Sequence, residues 1–211
     1  VRDTAARSGM AITTMPADVS DEARTAEVAR DVLARFGRVD VLFNNVGQSA
    51  RERASEFPAS AADTWRFVIE VSLLTTMRAT RLVVEEMRAR RSGRIVNMST
   101  ESAFYGDVGF VDYAAAKMGV VGFTRSLARE LAPFHVNVNA VCPGYIDTPW
   151  WKGRGQEAID KQREYVRGRV PLKLASKPED IAEAVVFLVS PASGHMTGEA
   201  LRMDAGMHLG G

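Results

Sequence analysis

Three consecutive stretches decide the fold: GRIVNMST at 93–100, YAAAKMGVVGFTRSLAREL at 113–131 and VNVNAVCPG at 136–144. The first and third are apolar runs of strand length, and the second repeats its apolar residues at helical spacing. A strand, a crossover helix and a second strand read as a βαβ unit, which pairs its strands in parallel.

The same alternation extends outward in both directions, with no Pro/Gly/Ser linker and no internal repeat. Met10 to Pro16 reads as a strand, followed by a helix capped by Ser20 and stopped by Gly37. Val39 to Asn44 reads as a buried strand. Ser60 and Asp63 have the spacing of a capping box and open a long helix to about Arg90. Beyond Pro143-Gly144 and a polar stretch lies a helix start at Ser176, Pro178 and Glu179, then a last strand from Ala200 to Met203. The fold class is α/β, a doubly wound parallel sheet of Rossmann type with three α/β/α layers, in one domain spanning 1–211.

Composition narrows the partners. With 27 Lys+Arg against 26 Asp+Glu the chain carries a net charge of +1, so nothing in it calls for nucleic acid or an anionic membrane. Its longest apolar run, Ala184 to Val189, falls far short of the ~20 residues that span a bilayer. Cys142 is the only cysteine, which excludes an intrachain disulfide, suits core filling and fits a reducing, cytoplasmic setting. No signal-peptide pattern is present. His135, His195 and His208 are scattered without metal-ligand spacing, so no metal is assigned. A small-molecule substrate remains.

Tyr113 and Lys117 are four residues apart, so both project from one helix face. An ammonium near a phenol favours the phenolate and lowers its pKa, which opens proton transfer. The pair alone is weak, because Tyr and Lys often fall one turn apart by chance.

Context sharpens it. Gly93 to Thr100, Asn139-Ala-Val-Cys-Pro-Gly-Tyr-Ile-Asp-Thr148, Asp18-Val19, Asn44-Asn-Val-Gly47 and Thr197-Gly198 with Asp204-Ala-Gly206 stand in order along the chain. In these motifs the sequence resembles the short-chain dehydrogenase/reductase family over nearly its whole length. The resemblance implies an NAD(P)-dependent oxidoreductase that moves hydride between a nicotinamide cofactor and a secondary alcohol or ketone. On that reading Tyr113 is the general acid/base and Lys117 lowers its pKa and holds the nicotinamide ribose. Asp18 and Val19 line the adenine, Asn45, Val46 and Gly47 pass close to the cofactor, and Pro143, Gly144, Ile146 and Thr148 meet the carboxamide. The family assembles as tetramers through two long helices, here about Ala61 to Arg90 and Tyr113 to Leu131, so a homotetramer or homodimer is expected.

The chain departs from the family pattern in three places. The serine expected thirteen positions before the tyrosine is Thr100, which keeps the hydroxyl but adds a methyl; Ser102 is the next candidate. An asparagine that holds a relay water is replaced by Ser72, predicting slower proton relay through an extra water. The first strand, the glycine-rich turn that receives the pyrophosphate and the second strand are absent, and the expectation is that such residues precede Val1. Gly153-Arg-Gly-Gln-Glu-Ala158 matches a phosphate-loop pattern numerically, but reads as part of a flexible lid over 149–175. Cofactor choice leans to NAD, since no basic residue waits for a 2′-phosphate.

Tyr145, Trp150 and Trp151 fall where the family walls its substrate pocket, which suits an apolar, ring-bearing or cyclic substrate. Residues 151–170 carry six Lys/Arg against three acids, a local +3 that would accept an acyl thioester carrier or simply form a solvated helix face. Two rivals remain on sequence alone: a non-catalytic assembly or ligand-sensing protein of the same fold, and a cofactor-free dehalogenase-like relative. The latter carry arginine where Lys117 stands.

Overall fold

The computed structural model describes residues 9, 11–148, 153 and 155–208. Four strands, β1 (Val41–Asn44), β2 (Gly93–Met98), β3 (Val136–Pro143) and β4 (Ala200–Met203), form one sheet in the order β1-β2-β3-β4, every pair parallel. Helices α1 (Glu22–Phe36), α2 (Ala62–Ile69), α3 (Thr75–Arg90), the short α4 (Ser102–Tyr105), α5 (Val111–Leu131), α6 (Gln156–Arg169) and α7 (Pro178–Val189) complete the order.

Strand alternation divides the core. Ile95, Val136 and Val138 face α3 and α5, where Val83, Met87, Ala128 and Leu131 close over them. Val96 and Val141 face the other way, against Ile181 and Leu188 of α7. Helices on both faces of a parallel sheet make the three-layer Rossmann-type arrangement.

Between the layers runs a polar chain. Asn44 Nδ2 donates to Thr80 Oγ1 at 3.0 Å and to Asn97 Oδ1 at 2.8 Å, and Asn97 Nδ2 donates to Thr124 Oγ1 at 2.9 Å. Each buried amide is thereby satisfied, and β1, β2, α3 and α5 are pinned to one another.

Several boundaries differ from the sequence expectation. No strand forms over residues 11–16, and Met10 lies outside the described residues. A strand requires a ladder partner, and among the described residues β1 pairs only with β2. Asp21, not Ser20, caps α1, accepting from Arg24 N at 3.0 Å, because Ser20 is engaged by Asp18. Ser60 does not cap α2; its hydroxyl donates to Phe57 O and accepts from Trp65 Nε1. At α7 the Asp180 carboxylate accepts from Lys177 N at 2.7 Å. The long helix to Arg90 is broken by a π turn, Glu70–Leu74, with Ser72 buried in it. Such widened turns recur at functional sites.

Candidate active site

The carboxyl ends of β1, β2, β3 and β4 deliver residues 45–47, 99–102, 144–146 and Asp204 to one edge of the sheet. Beside them lies a cavity of about 590 Å³ whose lining includes Thr100, Ser102, Tyr113, Gly144, Tyr145 and Ile146. Sequence candidates far apart in the chain therefore meet on one hollow.

Helix α5 supplies Tyr113 and Lys117. Lys117 is 2% exposed; its ammonium donates to Met98 O at 2.8 Å and lies 5.9 Å from the Tyr113 ring centroid. Desolvation pulls it down from its ordinary value to about 8. Ser99 Oγ donates to Lys117 O at 2.8 Å and so belongs to the wall of the lysine, not to the cavity.

Tyr113 corrects one expectation. Its hydroxyl is pushed up to about 12, first by burial and then by the charge of Glu101, while Arg51 pulls the other way. Lys117 is not among the groups that shift Tyr113, being itself desolvated and directed at a backbone carbonyl. At neutral pH Tyr113 is a phenol, the form that can give a proton.

Gly47 sits against Lys117 so closely that a Cβ there would lie 2.7 Å from Nζ and 3.4 Å from Ser72 Oγ. Ser72 Oγ accepts from Gln48 N at 3.1 Å and donates to Gln48 O at 3.0 Å, clamping the loop that carries Gly47. The bare backbone beside a buried ammonium fits the nicotinamide-ribose end of a dinucleotide. Asn45 and Val46 are exposed on the same crest.

After β3, Gly144 N donates to Met203 O at 2.9 Å, and a Cβ on Gly144 would meet Asp204 Cα at 2.7 Å. Ser176 fastens the segment from both sides, its N–H to Tyr145 O at 3.0 Å and its carbonyl to Asp147 N at 2.8 Å. Pro143 is buried, and Thr148 half-buried beyond the strapped residues. Asp18 is exposed; its carboxylate accepts from Ser20 N and Oγ at 2.9 and 2.7 Å, bonds that lower its pKa. Val19 O accepts from Thr25 Oγ1. Trp150 and Trp151 lie outside the described residues.

Sequence reasoning missed part of the lining. Glu101, Tyr105 and Arg51 reach the cavity from loops and the short α4, and Lys161, Gln162 and Tyr165 reach it from α6. Lys161 pairs with Glu157 at 2.8 Å, and the Tyr145 and Tyr165 rings are 6.3 Å apart. The signal available for Glu101 was an acid between two hydroxyl residues at a strand end; Arg51 and Tyr165 offered none, since contacts between remote loops leave no period in the sequence.

Comparison with known proteins places this geometry. Residues 1–208 match the family model described as enoyl-(acyl carrier protein) reductase. A 3-oxoacyl-[acyl-carrier-protein] reductase of Thermotoga maritima is 37% identical over 190 residues, 90% of this chain and 74% of that protein. The Vibrio cholerae protein of the same name is 35% identical over 195 residues, covering 92% and 77%. An acetoacetyl-CoA reductase of an Acinetobacter species is 36% identical over 188 residues, covering 89% and 73%. With near-complete coverage by the family model and relatives above one-third identity, the chain belongs to the short-chain dehydrogenase/reductase family and is an oxidoreductase acting on CH–OH and C=O groups.

Proposed function

We propose that the protein reduces a ketone to a secondary alcohol, with Tyr113 as proton donor. The observation that carries this reading is the shared cavity: Tyr113 and Thr100 line one hollow, and Lys117 stands one helical turn behind against the Gly47 backbone. A bound nicotinamide dinucleotide supplies the hydride. As the carbonyl carbon is reduced, its oxygen takes up an electron pair. Tyr113 delivers the proton to that oxygen, and Lys117 at neutral pH stabilises the phenolate left behind. Thr100, with Ser102 beside it, orients the oxygen. Asp18 and Val19 receive the adenine, and 143–148 the carboxamide.

The names of the relatives point to a 3-oxoacyl thioester as substrate class, and Lys161 at the cavity wall suits its anionic end. The cofactor is NAD(P); the lean to NAD rests on the lack of a basic residue in the sequence waiting for a 2′-phosphate, and the Asp18 segment is compatible with either form. Assembly through α3 and α5 goes with this reading, since Met77, Val111 and Met118 leave apolar surface exposed on those helices. A cytoplasmic setting suits the single, buried Cys142.

The test is acetoacetyl-CoA reduction followed by NADH and NADPH oxidation, with both nucleotides titrated in parallel. Tyr113→Phe should abolish turnover and leave nucleotide affinity within about twofold. Retained turnover would sink the assignment.

A further inference from the structure

Thr100 has one proton to give, and in this structure the proton is spent. Its Oγ1 donates to Glu101 Oε2 at 3.0 Å, while it accepts from Ser102 N at 3.4 Å and faces Ser102 Oγ at 3.3 Å. A hydroxyl carries one donor and two acceptor sites. Thr100 is therefore turned away from any substrate oxygen while Glu101 is an ionised acceptor. Glu101 is 9% exposed, and the other oxygen of its carboxylate accepts from Tyr105 OH at 3.1 Å.

We propose that Glu101 is a positioning residue that acts through Thr100: protonated, it donates to Thr100 Oγ1 and frees the threonine proton for the substrate carbonyl; ionised, it takes that proton. The proposal rests on the ketone-reduction reading. It assigns an acid outside the Tyr113-Lys117 pair the role of switching the oxyanion donor on and off. No atom is lost in the switch, since one proton is gained or released by the Glu101 carboxyl and the Thr100 O–H bond rotates intact.

Burial, and not the groups facing it, favours the protonated form of Glu101. Burial raises its pKa, opposed by hydrogen bonds from Thr100, Tyr105 and the Glu101 and Ser102 backbones. The Glu101 charge in turn pushes up Tyr113 on α5, Cys142 on β3 and Tyr105 on α4, which keeps all three neutral beside it. Asp107 and Tyr165 act on Tyr105, and Arg51 acts on Tyr113. Arg202 on β4 and Lys117 act on Cys142.

The experiment is the pH–rate profile of acetoacetyl-CoA reduction by the wild type and Glu101→Gln, at saturating nucleotide. Glutamine donates to Thr100 Oγ1 at every pH. The wild-type kcat should fall on the order of a hundredfold, the cost of one oxyanion donor, as pH rises through the Glu101 ionisation. Its KM should change little. In Glu101→Gln that limb should vanish, and a limb that persists overturns the proposal. Carbon-13 NMR of the Glu101 carboxyl gives a second readout on the protein without nucleotide. Thr100→Val should raise its titration midpoint, and an unmoved midpoint also overturns the proposal. A wild type that reduces no ketone at any pH overturns the ketone reading instead, and the carboxyl titration still decides the Thr100–Glu101 link.

Discussion

Gly47 and Lys117 touch across the site: a Cβ on the glycine would stand 2.7 Å from the lysine Nζ and 3.3 Å from its Cε. The clash falls on the far end of a flexible side chain, so the fold can absorb it. The site cannot, because Nζ must leave the position it holds against Met98 O.

Gly47→Ala should therefore separate stability from activity. Unfolding free energy should change by under about 1 kcal/mol, whereas a displacement of ~1 Å in a positioning group costs on the order of a hundredfold in rate. Thermal melts run beside kcat/KM measurements check this. A large loss of stability with proportionate activity would place the glycine in the fold and not in the site.

Lys117 predicts a pH dependence. Its folded pKa, about 8 against an ordinary 10.5, is depressed, so the unfolded chain binds the proton more readily and stability rises with pH across that window. For a group this buried the difference amounts to about 3 kcal/mol at ~1.4 kcal/mol per unit. Lys117→Met removes the titration. Urea unfolding at pH 7 and pH 10 should show the wild type gaining roughly 2 to 3 kcal/mol relative to the variant, most of the full difference because pH 10 lies just below the unfolded pKa, and a constant gap would mean that the ammonium is hydrated.

The sheet was legible in the sequence because β2, β3 and the helix between them each carry an unbroken local period, and a period is set by neighbours in the chain. The residues at the strand ends were legible through their motifs. Residues 11–16 misled because apolar content marks a strand only where another strand offers hydrogen bonds. The π turn at Glu70–Leu74 left no trace, since Phe67, Val71 and Leu74 satisfy an ordinary helix equally well. Glu101 stood in view, but its function depends on where the Thr100 proton points, which no spacing encodes.

Thr124 is a purely structural test of the frame beneath the site. Asn97 is fully buried, and its Nδ2 donates to Thr124 Oγ1 while its Oδ1 accepts from Asn44. Thr124→Val keeps the shape and removes the acceptor. An unsatisfied buried donor costs about 1–3 kcal/mol, and chemical denaturation should find that loss with KM for acetoacetyl-CoA nearly unchanged.

Ser72 ties the π turn to the loop bearing Gly47, since its hydroxyl both donates to and accepts from the Gln48 backbone. Ser72→Ala breaks both bonds and should cost about 1 kcal/mol, with weaker nucleotide binding as the Gly47 loop loosens. Ser72→Asn should behave differently. An amide can repeat both bonds to Gln48, carbonyl to N–H and NH2 to O, and it reaches further toward Lys117, where a single water could then carry protons. Turnover should rise above wild type with stability held. If Ser72→Asn matches wild-type kcat while Ser72→Ala loses nucleotide affinity, Ser72 anchors the loop and takes no part in moving protons.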